Sequence, residues 1–223
     1  MVNTCKIIAL EGIDGSGKGS QYKILFERLE KEGYRVGKLD FPAYDKFIGT
    51  EIGKLLSGDY EVTAKTLDPK SMALWYACDR LTNFKNFDFS KYDILLLNRS
   101  SLSNAVYQGV RCSEDRRKDF MKWVSALEFD ELGIPEPDMY VIFDITVEQS
   151  FINVGKKGHR DYVGEKADVY EADKQFMSDV RNGYLGAAEV FNNAKVLKCN
   201  DENGMLDMNY IADMVYKTIA EVI

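Results

Sequence analysis

The sequence predicts an α/β fold built on a central parallel sheet flanked by helices, and three observations predict it. Four short apolar runs, "KIIAL", "YDILLL", "MYVIFDI" and the weaker "KVLKC", read as strands buried on both faces, as strands of a parallel sheet are. Between them lie segments whose apolar residues recur at helical spacing. The first run leads directly into "EGIDGSGKGSQ", a glycine-rich loop followed by a helical pattern. A loop in that setting gathers backbone N–H groups at the positive end of a helix, where phosphate binds.

Taken in order, the helical pattern after the loop begins at Ser20, carries Tyr22, Leu25, Phe26 and Leu29 on one face, and meets Gly33, which is placed to end it. "YRVGKLDF" is the second strand. Asp68 and Pro69 supply an N-cap and a first helical residue for a helix with Met72, Tyr76, Arg80 and Asn83 along one side. "YDILLL" is the next strand, and "RRKDFMKWVSALEF" a further helix. After "MYVIFDI" comes "GKKGHRDYVGEKADVYEAD", polar and rich in charge and glycine, which reads as a mobile lid over about residues 155–172. "KVLKC" closes the sheet. With no repeat, low-complexity tract or Pro-rich linker, residues 1–223 read as one domain whose ligands sit at the carboxyl ends of the strands.

A formal net charge of -7 and a pI near 5.0 give no general drive toward nucleic acid or an anionic membrane. Cys5, Cys78, Cys112 and Cys199 are scattered and read as reduced thiols. No basic leader or bilayer-length apolar run is present, so a soluble, cytoplasmic protein is expected, with no nucleic-acid or membrane partner.

Gly12, Gly17 and Lys18 have the spacing of a phosphate loop, but the residue that should then be Ser or Thr is Gly19. Ser20 offers a hydroxyl one position later, able to help place Mg2+ directly or through water. Gly12, Ile13, Asp14, Gly15, Ser16, Gly17, Lys18, Gly19 and Ser20 are thus the candidate ATP-binding residues, with Lys18 reaching the outer phosphates; a glycine-rich turn without a ligand is the alternative. The run "GKGSQ" resembles the "GKGTQ" of adenylate and related nucleoside monophosphate kinases.

Six segments extend that resemblance: "EGIDGSGK", "DFPAYD", "LWYACDR", "NRSSLSNAVYQG", "LEFDELGIPEPD" and "ADVYEAD". In this order the chain resembles the thymidylate kinases, specifically the bacterial type whose P-loop carries no arginine. The resemblance implies the P-loop nucleoside monophosphate kinase fold, ATP and dTMP as substrates, Mg2+ as cofactor, and a homodimer. Carried over residue by residue, it places Tyr76 on the base and Arg80 on thymine O4, Asn104 beside Ser103 on the pyrimidine edge, and Tyr107 against the sugar 2' position. Asp14 would meet the acceptor 3'-hydroxyl and the metal, Phe41 and Tyr44 the acceptor, and Arg99 the acceptor phosphate. Core packing for Tyr76, solvation for Arg80, helix packing for Tyr107 and an N-cap role for Asp14 are the ordinary alternatives.

Since the P-loop has no arginine, charge on the transferring phosphoryl has to be met from elsewhere, and Arg160 in the lid is the candidate, ahead of Lys156 and Lys157. The "DVYEAD" match implies acceptor contacts for Asp168 and Tyr170 and a metal role for Glu171; an acidic helix start is the alternative. His159, the single histidine, is read as solvated rather than as a base. Two departures stand out: Asn98 where the resemblance calls for a metal-associated aspartate, and Ser100 where it calls for an aromatic. Asp144 is read as structural.

Overall fold

The computed structural model describes residues 5–157, 173–191 and 193–223. Five parallel strands form the central sheet: β1 (Lys6–Glu11), β2 (Val36–Asp40), β3 (Ile94–Asn98), β4 (Met139–Asp144) and β5 (Ala194–Lys198), in the order β2-β3-β1-β4-β5. Each apolar run of the sequence is one of these strands. The three central strands are buried on both faces, which is why they read as continuous runs of Ile, Leu and Val rather than as alternation. Register brings the strand ends together: Leu10 pairs with Asn98 and Asp40 with Asn98, so β1, β2 and β3 finish side by side. The chain passes to β2 and β3 on one side of β1 and then to β4 and β5 on the other, which opens a crevice at the carboxyl end of β1.

Helices α1 (Lys18–Lys31), α2 (Phe47–Ser57), α3 (Pro69–Lys85), α4 (Ser101–Gly109), α5 (Glu114–Ser125), α6 (Val147–Lys157), α7 (Lys174–Ala187) and α8 (Met208–Ile219) connect and cover the strands. A small hairpin, β6 (Asn200–Asp201) with β7 (Gly204–Met205), follows β5. Asp68 caps α3 as its position predicts, accepting from the N–H groups of Lys70 and Ser71, with Pro69 at the first helical position. Gly33 follows the end of α1 with φ 95°. One boundary is corrected: α1 begins at Lys18, two residues before the expected Ser20. No helix among the described residues is long and apolar enough to cross a membrane. The four cysteines are free thiols.

Candidate active site

The phosphate loop owes its shape to two crowded glycines. Gly12 has φ 134° and Gly15 φ 75°, and a Cβ at either would lie 2.7 Å from the Phe143 carbonyl oxygen or 2.6 Å from that of Ser150. Neither contact leaves room for a side chain. Helix α6 braces the loop: Ser150 Oγ donates to the Asp14 carbonyl at 2.6 Å and Asn153 Nδ2 to that of Gly15 at 2.8 Å. Lys18 Nζ folds back onto the loop, donating to the carbonyls of Gly12 and Ile13 at 2.8 and 2.9 Å and to Ser16 Oγ at 3.3 Å. Ile13 contributes only its backbone, since its side chain is buried in the core.

Gly15, Gly17, Lys18 and Gly19 line a broad cleft with Lys38, Asp40, Tyr44, Lys46 and Asn98. Ser20 does not line it and is exposed. The helix start explains this: with α1 beginning at Lys18, Ser20 lies about 200° around the axis from Lys18. The expected metal-placing role for Ser20 therefore has no support from its position.

A second, narrower pocket opens beside the first and is lined by Phe41, Tyr76, Arg80, Ser103, Asn104 and Tyr107, among others. Ser103, Asn104 and Tyr107 share α4 and form one wall, as their spacing predicts. Asp14, Phe41, Tyr44 and Arg99 line both spaces, so the pocket and the phosphate cleft meet at these residues.

Arg99 stands at that junction on an unusual backbone, the one described non-glycine residue with positive φ, at 66°. Its N–H donates to the Leu10 carbonyl, which anchors it directly after β3. The guanidinium donates from Nη2 to Asp14 Oδ1 at 2.7 Å and from Nη1 to Ser103 Oγ at 3.2 Å, and its Cζ lies 5.2 Å from the Tyr107 ring centre. Burial alone would lower its pKa, but Asp14, Tyr107, Tyr184 and Glu11 together hold it well above the usual value. Tyr107 is pushed up by burial first and by Asp14 second; its hydroxyl keeps its proton and donates to Asp14 Oδ2 at 3.2 Å.

Two buried carboxylates beneath this site were not singled out from the sequence. Glu11 accepts from Ser100 Oγ and Ser103 Oγ, both at 2.5 Å, and from the Tyr184 hydroxyl at 3.2 Å. Ser100 also caps α4, accepting from Leu102 N–H, so the residue that departs from the expected aromatic has a local structural role. Glu128 accepts from Arg80 Nε at 2.6 Å, Arg80 Nη2 at 2.5 Å, Ser101 Oγ at 2.7 Å and Asn104 Nδ2 at 2.9 Å. Arg80, which the sequence presents as a cation facing either a base or solvent, is thus half of a buried ion pair that also borders the pocket. The signal available in the sequence was an acid inside an otherwise amphipathic helix pattern, at "SALEF".

In the cleft, Asn98 Nδ2 donates to Asp40 Oδ1 at 2.9 Å, while Asn98 Oδ1 is buried without a hydrogen-bond partner. Lys46, another residue not singled out, donates to Asn83 Oδ1. Asp144 pairs with Arg181 at 2.6 and 3.0 Å, in keeping with a structural role. Arg160, Asp168, Tyr170, Glu171 and His159 lie outside the described residues, as do the side chains of Lys156 and Lys157 and nearly all of the segment expected as a lid.

A P-loop after the central strand, a parallel sheet ordered β2-β3-β1-β4-β5 and a second pocket meeting the loop's cleft define the P-loop nucleoside monophosphate kinase fold. The family model for thymidylate kinase matches residues 10–205, and the chain belongs to that family. Among relatives, it is 31% identical over 220 residues to the thymidylate kinase of Caldanaerobacter subterraneus subsp. tengcongensis, covering 97% of this chain and 95% of the relative. It is 30% identical over 172 residues to that of Mycobacterium tuberculosis, covering 76% and 79%. The solved thymidylate kinase of Candida albicans shares the fold, with a TM-score of 0.72 at 19% identity over 98% of this chain and 92% of that one.

Proposed function

We propose that the protein transfers the γ-phosphoryl group of ATP to dTMP, giving dTDP and ADP, with the site residues acting as follows. The observation that carries this reading is the junction itself: a pocket lined by Tyr76, Arg80, Asn104 and Tyr107 opens into the P-loop cleft at Arg99, Asp14 and Tyr44. An acceptor nucleoside seated in the pocket would present its 5'-phosphate there, within reach of Arg99 and facing the loop that holds the donor. Lys18 and the amides of Gly15, Gly17 and Gly19 bind the donor phosphates, for which Lys18 exchanges its loop carbonyls. The acceptor nucleophile is already a phosphate oxygen, so alignment and charge neutralisation do the chemistry and no strong base is required.

Magnesium belongs to this proposal. The cleft's acceptors fit a hydrated cation held largely by the nucleotide: Asp14 and Asp40 supply carboxylates, and Asn98 has an unpartnered buried Oδ1 beside Asp40. When bound, the ion neutralises charge on the phosphates. Arg160 is proposed as the further cation on the transferring group, with Asp168 and Tyr170 on the acceptor, Glu171 on the metal and a homodimer as the assembly, all from the family resemblance. Tyr76 stacks on the base, Phe41 closes the pocket, and Ser103 and Asn104 border the pyrimidine.

ADP release measured with dTMP, dUMP, dCMP, dGMP, AMP and UMP as separate acceptors tests the reading. Fast turnover with dTMP and weaker use of dUMP are expected; preference for a purine acceptor would overturn it. Tyr107, pinned to Asp14, is proposed to crowd the sugar 2' position. Tyr107→Ala should therefore raise the use of UMP relative to dUMP by about 10-fold. An unchanged ratio would remove Tyr107 from sugar selection.

A further inference from the structure

Glu128 lies on a wide-turned helical stretch, residues Ala126–Glu131, and is 0% exposed. Its two oxygens accept all four of the hydrogen bonds described above, from Arg80, Ser101 and Asn104. We infer that Glu128 is a positioning residue for acceptor selection: it aims Arg80 and Asn104 so that the pocket accepts pyrimidines with a 3-NH and 4-oxo edge and rejects those with a 4-amino group. The inference rests on the reading of this pocket as the acceptor-nucleoside site.

The orientation of an asparagine amide is often ambiguous, but here its neighbours decide it. Asn104 Nδ2 faces the Ala73 carbonyl at 3.0 Å and Glu128 Oε1 at 2.9 Å, two groups that accept. Turning the amide over would set oxygen against oxygen at both. Asn104 Oδ1 is therefore fixed as an acceptor, and it is buried without a partner in a residue that is only 2% exposed and lines the pocket. An unmet acceptor in that position is costly unless a ligand donates to it.

Arg80 is fixed in the same way. Glu128 takes Nε and Nη2 as a fork, which holds the guanidinium plane and leaves Nη1 outside the pair. Arginine only donates. One carboxylate thus fixes an acceptor-bearing residue on α4 and a donor-bearing residue on α3, and both residues line one pocket. Thymine and uracil complement that edge with N3–H and O4. Cytosine presents the opposite polarity, a bare N3 and an amino group, so both contacts would become repulsive. Ser101 completes the carboxylate's bonding and leaves it no reason to turn toward the ligand.

Steady-state kinetics of wild type, Glu128→Gln and Glu128→Ala with dTMP, dUMP and dCMP test the inference. Glu128→Ala should lower kcat/KM for dTMP and dUMP by about 10²-fold, mainly through KM, and leave dCMP nearly unchanged, so that the dTMP-to-dCMP ratio collapses. Glu128→Gln, which keeps one oxygen, should fall between. A parallel loss with all three acceptors, the ratio intact in folded protein, would overturn the inference and leave the dTMP kinase reading standing. No dTMP turnover by wild type would overturn both. Should the variants fail to fold, 15N-labelled wild type provides the second measurement. The Asn104 side-chain NH2 protons should exchange slowly and stay in place when dTMP binds, while the thymine N3–H becomes protected. An Asn104 NH2 that moves onto the base would overturn the inference.

Discussion

Arg99→Ala is expected to lower kcat/KM for dTMP by about 10³-fold while ATP affinity stays within about threefold. The selectivity follows from where Arg99 sits: it lines both the nucleoside pocket and the phosphate cleft, and its guanidinium donates to Asp14 and Ser103, with a longer 3.5 Å bond to the Gly12 carbonyl, leaving the loop's N–H groups to the donor. Alanine at φ 66° carries the same backbone strain as arginine, so the change removes the side chain and leaves the unusual turn in place. Arg99→Lys keeps a charge but loses the planar fork, and it should recover only part of the loss. A melting curve separates these effects from the structural consequence of leaving Asp14 without its 2.7 Å ion pair. Normal dTMP turnover by Arg99→Ala would remove Arg99 from the site.

Lys18→Met should lower kcat by about 10³-fold and sharply reduce the rise in melting temperature that ATP confers. Methionine retains most of the aliphatic stem and loses the ammonium. In the loop that ammonium bonds the Gly12 and Ile13 carbonyls, and Lys18 lines the cleft proposed for the donor phosphates. The variant should still fold, since Gly12 and Gly15 owe their conformation to the Phe143 and Ser150 backbone and to the bracing by Ser150 and Asn153. Unimpaired ATP stabilisation in Lys18→Met would contradict the placement of the donor.

The strands and the phosphate loop were legible because their signals are local. Continuous apolar runs mark β1, β3 and β4, and the loop's glycines are demanded by contacts that any residue with a Cβ would violate. The wall formed by Ser103, Asn104 and Tyr107 was also legible, since helical spacing alone puts them on one side of α4. Glu11 and Glu128 were not, because a carboxylate reveals itself as a hub only when several chain segments converge on it. Glu128 collects donors from α3 and α4, 48 and 24 residues away. Ser20 stands apart for a different reason. Its hydroxyl is chemically suitable, but with α1 beginning at Lys18 it is exposed and not among the residues lining the cleft. Ser100 and Asn98 looked alike as departures from a motif, and the structure separates them: Ser100 caps a helix and bonds Glu11, while Asn98 bonds Asp40 and leaves one buried oxygen unpaired.

The most direct test of the account is the fate of the γ-phosphoryl group. Purified protein incubated with Mg2+, ATP labelled at the γ-phosphorus and unlabelled dTMP should yield label in the β-phosphate of dTDP, in step with ADP formation. Label recovered as inorganic phosphate, or retained in ATP by folded protein that still binds it, would contradict the proposed transfer.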